Sequence, residues 1–167
     1  MRTLIDHLST YASYHQNERN VLTHFFGIPL IVIAIFSLLS TPWQFELAGG
    51  ALGISLTHLV IIGTSWFYWR LDHRLGFLML LFSLVCYSLA MPLMALSTVG
   101  WLVSSVALFV VGWVLQFVGH YFEGRKPAFV DDLMGLVIGP LFIVCEWAFR
   151  LGFFQQLQAQ LLANKTS

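Results

Sequence analysis

Charged residues are scarce in this chain, and that scarcity excludes several common classes of protein. Asp, Glu, Lys and Arg make up 10% of the 167 residues, whereas apolar residues make up 58%. A soluble domain averages about 25% charged residues. Eight basic residues balance eight acidic ones, so the chain has neither the basic surface of a nucleic-acid-binding protein nor the acidity of a disordered segment. The composition instead indicates a membrane protein.

Several catalytic and processing motifs are also missing. The two cysteines, Cys86 and Cys145, form no CxxC pair and lie in apolar stretches, so we interpret them as small buried hydrophobic residues. The polar first 20 residues lack the apolar run of a signal peptide, and we expect the amino terminus to remain on the mature protein. HExxH, GxSxG, GxGxxG and clustered HxxHH motifs do not occur. Zincins, serine hydrolases of the elbow type, dinucleotide enzymes and di-iron hydroxylases are therefore disfavoured.

The positions of the few charges divide the chain into membrane spans. Residues 20–45, 47–69 and 75–122 carry no charge, over 26, 23 and 48 residues, and one span needs about 20. A weaker apolar segment follows, interrupted by Gly139-Pro140. We predict an all-α, polytopic helical membrane protein forming one domain over residues 1–167. Its clear spans are at about residues 21–40, 47–69, 75–96 and 101–122, with a fifth broken or re-entrant segment at 133–154.

The basic residues give the orientation of these spans. Six of them flank one predicted side of the membrane, and none lies in the intervening loops at residues 41–46 and 96–100. The six are Arg2, Arg19, Arg70, Arg74, Arg125 and Lys126. Because cytoplasmic loops carry the excess of Lys and Arg, we expect the amino terminus on the cytoplasmic side.

Most histidines fall on that same side, together with several carboxylates. His58 lies in the middle of a span, where we interpret it as a hydrogen-bonded intramembrane polar group. The other five histidines are His7, His15, His24, His73 and His120. The carboxylates are Asp72, Glu123, Asp131 and Asp132. Imidazoles and carboxylates gathered at one membrane face indicate a metal site or a proton-transfer site.

Helical geometry decides which of these side chains can meet. Gln116, His120 and Glu123 share one face of a helix. His15 and His24 are nine residues apart, half a turn out of phase on a continuous helix, so they meet only if the chain breaks between them. We therefore predict a short amino-terminal surface helix carrying Tyr11, Tyr14 and His15, a turn within residues 16–20, and then a span carrying His24, with Asn20 as its N-cap.

The candidate metal ligands are His15, His24 and His120. Glu123, Asp72 and His73 are further candidates, although Glu123 is equally suited to pairing with a nearby cation. Imidazole and carboxylate without thiolate suit iron, zinc, copper or manganese. A haem electron carrier, a non-catalytic lipid-binding or scaffold protein, and a zinc hydrolase of lipid amides stay open on these residues alone.

Four blocks of sequence carry a resemblance to a known family. They are YASYHQNERNVLTHFFGIP (Tyr11 to Pro29), LDHR (Leu71 to Arg74), WVLQFVGHYFEGRKPAFVDDL (Trp113 to Leu133) and GPLFIVCEWAFRLGF (Gly139 to Phe153). In content, order and spacing they resemble the membrane 2-hydroxy fatty acid dioxygenases, the family of the yeast protein named for metabolism of phytosphingosine to odd-numbered fatty acids. The resemblance implies an Fe(II)-dependent α-oxidation in which histidines are required. His15, His24 and His120 match the motif histidines, and His73 lies in a matching DHR.

On this resemblance we expect His15, His24 and His120 to hold Fe(II), with Glu123 or Asp72 as a fourth ligand or a hydrogen-bond partner of the ligands. The expected partners are a 2-hydroxy fatty acid, dioxygen and the lipid bilayer, without nucleic acid. The bilayer is the inner or plasma membrane in a bacterium and the endoplasmic reticulum in a eukaryote. Residues expected to attract the substrate or orient the ligands are Asn17, Asn20, Gln116, Arg19 and Arg125.

Overall fold

The computed structural model describes residues 3–40, 44–47 and 52–166. Helices dominate these residues, and a two-stranded antiparallel hairpin stands between the second and third helices. The elements are α1 (Leu4–Ser13), α2 (Glu18–Ser40), β1 (Gln44–Leu47), β2 (Leu52–Ser55), α3 (Leu56–Leu71), α4 (His73–Met94), α5 (Thr98–Glu123), a 3₁₀ turn (Ala128–Val130), α6 (Met134–Arg150) and α7 (Gln155–Thr166). The prediction of an all-α polytopic membrane protein is confirmed.

The predicted amino-terminal helix is present as α1, and its ends have local causes. Thr3 accepts a hydrogen bond from the Asp6 amide, and the Asp6 side chain accepts one from Thr3, which forms a capping box. The helix ends at Ser13, with Tyr14 as its C-cap. His15 therefore follows the helix, whereas the sequence had predicted that the helix carries it.

The predicted break lies between α1 and α2, but its capping residue is different. The Asn17 Oδ1 accepts a hydrogen bond from the Arg19 amide at 2.9 Å, so Asn17 closes the amino end of α2. The prediction of Asn20 as the N-cap is wrong, because Asn20 lies one turn inside the helix and is fully buried. Asparagine suits both a helix N-cap and a buried hydrogen-bonding position. Here Asn17 takes the first role and Asn20 the second.

Helices α2 and α5 pack closely in antiparallel orientation, and three glycines make this possible. A Cβ on Gly27 would lie 2.9 Å from the Gly112 carbonyl oxygen, and one on Gly112 would lie 2.6 Å from Ile31 Cγ1. A Cβ on Gly119 would collide with the Thr23 hydroxyl. Because small residues let helix backbones approach in a membrane, these three glycines let α2 pack directly against the second half of α5.

The second predicted span differs most from the structure. The prediction placed it at residues 47–69, whereas the chain forms a hairpin up to Ser55 and α3 begins only at Leu56. Helix α3 has 16 residues, fewer than the roughly 20 that a perpendicular span needs. A stretch without charged residues therefore does not distinguish a membrane-spanning helix from a short pair of strands followed by a helix.

The fifth segment is broken, as predicted, although at another position. Helix α6 runs without interruption through Gly139 and Pro140. The bend of 115° lies between α6 and α7, where Gly152 and Phe154 have positive φ angles of 82° and 54°. Proline disfavours helix at the residue before it but does not forbid a continuous helix. A left-handed glycine ends a helix more decisively.

Among the residues that the structure describes, three helices are long and apolar enough to cross a membrane, and there are up to four crossings if α6 and α7 form one bent span. The three are α2, α4 and α5. Large apolar side chains are exposed along α4 and α5, among them Phe77, Leu89 and Val103. Exposed apolar surface of this kind suits contact with lipid.

Candidate metal centre

Three histidines from three parts of the chain converge beneath the amino-terminal helix. His15 lies in the turn after α1, His24 on α2 and His120 near the end of α5. One ring nitrogen of each lies within 4.8 Å of the other two, and the ring centroids are 4.5 to 5.1 Å apart. Their side chains are 3%, 1% and 5% exposed. The predicted break between α1 and α2 is present, and it brings the His15 ring against the His24 ring.

Backbone carbonyls determine which nitrogen carries the proton in two of these rings. The Nδ1 of His15 lies 2.8 Å from the Tyr11 carbonyl oxygen, and the Nδ1 of His24 lies 2.9 Å from that of Asn20. A carbonyl oxygen only accepts, so both Nδ1 atoms are the donors. The lone pairs then lie on the two Nε2 atoms, which are 3.1 Å apart. Burial lowers the pKa of His15 to about 4, so at neutral pH that ring has no second proton to place between them.

The spacing of these nitrogens fits a shared metal ion. Imidazole nitrogens bind such ions at about 2.0–2.1 Å, so two ligands at about 90–110° lie roughly 3.0–3.4 Å apart. The observed 3.1 Å falls in that range, and an ion between the lone pairs removes their repulsion. His120 contributes a third ring, and its buried Nδ1 has no hydrogen-bond partner in the part of the chain that the structure describes. The carbonyl contacts at the two Nδ1 atoms are the kind that orient metal-bound histidines.

Glu123 ties the end of α5 to the turn that carries His15. Its carboxylate accepts hydrogen bonds from the Gln16 amide at 3.0 and 3.1 Å and from the Asn17 amide at 2.9 Å. It also accepts one from the Asn20 side chain at 3.0 Å. Both oxygens are therefore engaged, and Glu123 is not in the three-histidine group. Its carboxylate holds the chain break in the conformation that points His15 at His24.

Two buried amide side chains also border the site. Asn20 is fully buried and donates to the Tyr14 carbonyl at 3.2 Å, while its Oδ1 has no partner. Gln116 lies one turn before His120, is 5% exposed, and its Nε2 has no partner. A buried polar group left without a partner costs about 1–3 kcal/mol. The Gln116 side chain borders the cavity, and its Nε2 packs beside Gly27 without a partner among the described residues.

Asp72 and His73 do not join the three histidines. The Asp72 carboxylate caps α4 by accepting a hydrogen bond from the Leu75 amide at 2.9 Å. The His73 ring stacks on Trp69, with centroids 6.0 Å apart. These contacts give the DHR block a structural explanation, because it joins α3 to α4.

The cations and the remaining amide predicted for the site also have other contacts. The Arg125 guanidinium donates to the Ser13 carbonyl at 2.9 Å. The Arg19 guanidinium lies 5.5 Å from the centroid of the Phe122 ring, and the Asn17 side chain donates to the Phe122 carbonyl at 3.0 Å. These three residues hold the ends of α1, α2 and α5 together around the histidines.

Tyr11 is a site residue that the sequence analysis placed only on the surface helix. Its ring stacks on that of His15, with centroids 4.1 Å apart and an interplanar angle of 7°. Its carbonyl oxygen accepts the hydrogen bond from the His15 Nδ1. It is 7% exposed, and burial raises the pKa of its hydroxyl, which therefore stays protonated. The spacing of four residues between Tyr11 and His15 was the available signal.

An apolar cavity of about 290 Å³ begins at the histidines. It lies between α2, α5 and α6 and is covered by the segment at residues 127–129. Tyr11, His24, Gln116 and His120 supply polar groups at one end, while most of the remaining lining is aliphatic or aromatic. Such a cavity, apolar with a few convergent polar groups, is typical of a small-molecule site.

Comparisons with known proteins found a matching family and a similar protein. The Mpo1-like family, described as 2-hydroxy-palmitic acid dioxygenase Mpo1-like, matches residues 1–151. The 2-hydroxy-palmitic acid dioxygenase MPO1 of Saccharomyces cerevisiae is 35% identical over 165 residues, which cover 92% of this chain and 84% of the yeast protein. No solved structure matches the chain.

Proposed function

We propose, from the premise that this chain belongs to the Mpo1-like family, that it is a dioxygenase of 2-hydroxy fatty acids with its catalytic metal at His15, His24 and His120. The observation that carries the proposal is the 3.1 Å contact between two Nε2 atoms whose lone pairs face each other. The family name supplies the substrate class, and the histidine cluster supplies a place for a metal that works with dioxygen. Iron(II) is the metal that we propose, since three nitrogen ligands with open positions suit it.

The proposed reaction balances without a further reductant. A 2-hydroxy acid, R-CHOH-COOH, reacts with O₂ to give R-COOH, CO₂ and H₂O. The bond between C1 and C2 breaks, and the substrate supplies all four electrons that reduce dioxygen. Bound iron(II) would supply the site at which dioxygen and the two oxygen functions of the substrate meet. The lack of a dinucleotide motif agrees with a reaction that needs no nicotinamide.

The described side chains have separate roles in this proposal. The Gln116 side chain lines the cavity beside His120, and its Nε2, which has no partner among the described residues, would donate a hydrogen bond to an oxygen of the substrate. The Tyr11 hydroxyl, kept protonated by burial, is a second donor at the cavity end. Glu123 acts as a positioning residue through the turn at residues 16–17, a role its four hydrogen bonds favour over direct ligation. Arg19 and Arg125 hold the helix ends in place.

We also propose that the site lies at the cytoplasmic face of the membrane. His15 and His120 are close to the ends of α1 and α5, where the basic residues collect. The excess of Lys and Arg on this side favours a cytoplasmic location. A 2-hydroxy fatty acid would then reach the cavity from the bilayer with its carboxylate at the polar surface.

Oxygen uptake by protein purified under anaerobic conditions tests the proposal. With 2-hydroxypalmitate we expect one O₂ consumed and one CO₂ released per acid, and a product one carbon shorter. His120→Ala should lose both the metal and the uptake, whereas His73→Ala, a histidine outside the cluster, should retain them. Full activity and full metal content in His120→Ala would contradict the assignment.

The three alternatives suggested by the sequence differ from this proposal in geometry or in their expected results. A haem carrier requires two imidazoles on opposite faces of a porphyrin, but the three ring centroids here are 4.5 to 5.1 Å apart. That separation is too small for a macrocycle between any two rings. A non-catalytic lipid-binding protein would bind the acid without consuming oxygen, and a zinc amidase would turn over without it.

A further inference from the structure

The cavity is a narrow channel along two antiparallel helices. Helix α2 lines it at His24, Ile28 and Ile35, and α5 lines it at His120 and Phe109, with further lining residues between them. These positions repeat at the spacing that keeps side chains on one helix face. Each set spans 11 residue-to-residue steps, or about 16 Å at a rise of about 1.5 Å per residue. The cavity therefore has a length as well as a volume, and the histidines mark one end of that length.

Ile35 and Phe109 line the end of the cavity farthest from the histidines. Beyond them, the buried hydroxyls of Ser37 and Ser105 are 2.8 Å apart, two residues after Ile35 on α2 and four residues before Phe109 on α5. The Trp101 indole donates to the Ser37 hydroxyl at 3.1 Å. This hydrogen-bonded group joins α2 to α5 just past the far end of the cavity.

The distribution of polar groups gives the cavity a direction. The imidazoles, the Gln116 amide and the Tyr11 hydroxyl lie at the histidine end, whereas Ile35 and Phe109 present only hydrocarbon at the other. A volume of about 290 Å³ is near the lower limit of about 300 Å³ for small-molecule sites. The shape and the chemistry therefore suit one unbranched chain with a polar head, and not a sterol or a two-chain lipid.

We propose that this cavity holds the acyl chain of a single long-chain fatty acid and that Phe109 and Ile35 set the longest chain accepted. The placement of the acid's head at the histidines rests on the proposed function. An extended chain advances about 1.3 Å per methylene, given carbon–carbon bonds of about 1.5 Å. A channel of about 16 Å therefore takes roughly 12 methylenes beyond C1 and C2. Acids of about 14 to 16 carbons fill it, and the terminal methyl group contacts the Phe109 ring.

Binding of saturated fatty acids that lack the 2-hydroxyl group tests this inference without turnover. Displacement of tritiated palmitate from the full-length protein in detergent gives an affinity for each chain from C10 to C22. We expect the wild-type protein to bind best near C14–C16 and to weaken beyond. Phe109→Ala should move the optimum about two to four carbons longer, since a phenyl ring of ~4 Å is replaced at ~1.3 Å per methylene. Phe109→Leu should move it less, and Ile35→Phe should shorten it.

Phe26→Ala is the matched control, because Phe26 lies on α2, is 63% exposed and does not line the cavity. Its chain-length profile should equal that of the wild-type protein. The same profile in Phe109→Ala, Ile35→Phe and Phe26→Ala would overturn the inference, as would failure of the wild-type protein to bind any of the acids. A separate outcome would contradict only the proposed function. If the chain-length profile shifts as expected but the protein consumes no oxygen with 2-hydroxypalmitate, the acyl-chain cavity is supported and the proposed reaction is not.

Discussion

Replacement of Gly119 by alanine should separate the two helices that carry His24 and His120. The added methyl group would collide with the Thr23 hydroxyl and the Asn20 Oδ1 and would lie 3.2 Å from the His24 Nδ1. Thr23 and Asn20 cannot retreat easily, because the Thr23 hydroxyl donates to the Asn20 carbonyl at 2.8 Å and Asn20 donates to Glu123. The collision therefore falls on α2 itself.

The expected magnitude follows from this rigidity. Overpacking of a close contact costs about 1–3 kcal/mol, and loss of a hydrogen bond that orients a ligand histidine lowers metal affinity by about 10- to 100-fold. We expect Gly119→Ala to show both effects, since the methyl group would lie against the His24 Nδ1 and against the side chain of Asn20, the residue whose carbonyl oxygen accepts from that nitrogen. The variant should fold, because the rest of the interface between α2 and α5 is unchanged.

Titration of metal-free protein with Fe(II) under anaerobic conditions, followed by thermal unfolding in detergent, measures both quantities. Gly63→Ala is the control, because Gly63 lies within α3 and a Cβ there meets nothing within 4 Å. Alanine at such a helix position is about 0.5–1 kcal/mol better than glycine, and metal affinity should not change. Equal metal affinity and equal unfolding temperature in Gly119→Ala and the wild-type protein would refute the reasoning.

Three further predictions test other parts of the structure. Glu123→Gln removes the charge that orders the turn at residues 16–17, so metal affinity should fall about 10- to 100-fold. The control Glu18→Gln, at an exposed acid in the first turn of α2, should not change the metal affinity. Equal metal affinities in Glu123→Gln and the wild-type protein would count against a positioning role for Glu123. Ser105→Ala should lower the free energy of unfolding by about 1 kcal/mol. Ser37→Ala should lower it by more, because the Ser37 hydroxyl also accepts from Trp101. The double variant should lose no more than Ser37→Ala, because the two hydroxyls share one hydrogen bond; additive losses would contradict this. Hydrogen bonds from Lys126 and Tyr14 hold the pKa of Asp131 below its usual range, so this contact is complete above pH about 4 and is lost as the pH falls through the lowered value. The protection of amides in residues 124–133 against hydrogen exchange, taken relative to the intrinsic rate at each pH, should accordingly fall in acid in the wild-type protein and be low at all pH values in Asp131→Asn. Wild-type protection that does not change with pH would show that the contact does not hold this loop.

The sequence predicted the histidine cluster because the cluster depends on helix periodicity and on one polar interruption. Nine residues between His15 and His24 require a break, and the run of polar residues after His15 indicated where it would be. The α-helical class followed from the long charge-free stretches. These are local properties, and one sequence is enough to read them.

Other features depend on contacts between distant residues and were not predictable in this way. The hairpin before α3 is as free of Lys and Arg as a span, so only its pairing distinguishes it. Glu123 looked like a ligand because it shares a face with His120, but its carboxylate meets the amides of Gln16 and Asn17, more than 100 residues earlier. Tyr11 became a site residue because the turn after α1 folds its ring onto His15. Each case needed the tertiary arrangement.

Oxygen uptake measured against added Fe(II) tests the central claim most directly. Metal-free protein supplied with excess 2-hydroxypalmitate should be inactive, and its rate should rise with Fe(II) until one ion is bound per chain and then stay constant. His24→Ala should show no rise over the same range. A rate that is independent of added Fe(II) after chelation, or a His24→Ala variant that reaches the wild-type rate at one equivalent, would contradict a catalytic metal at the three histidines.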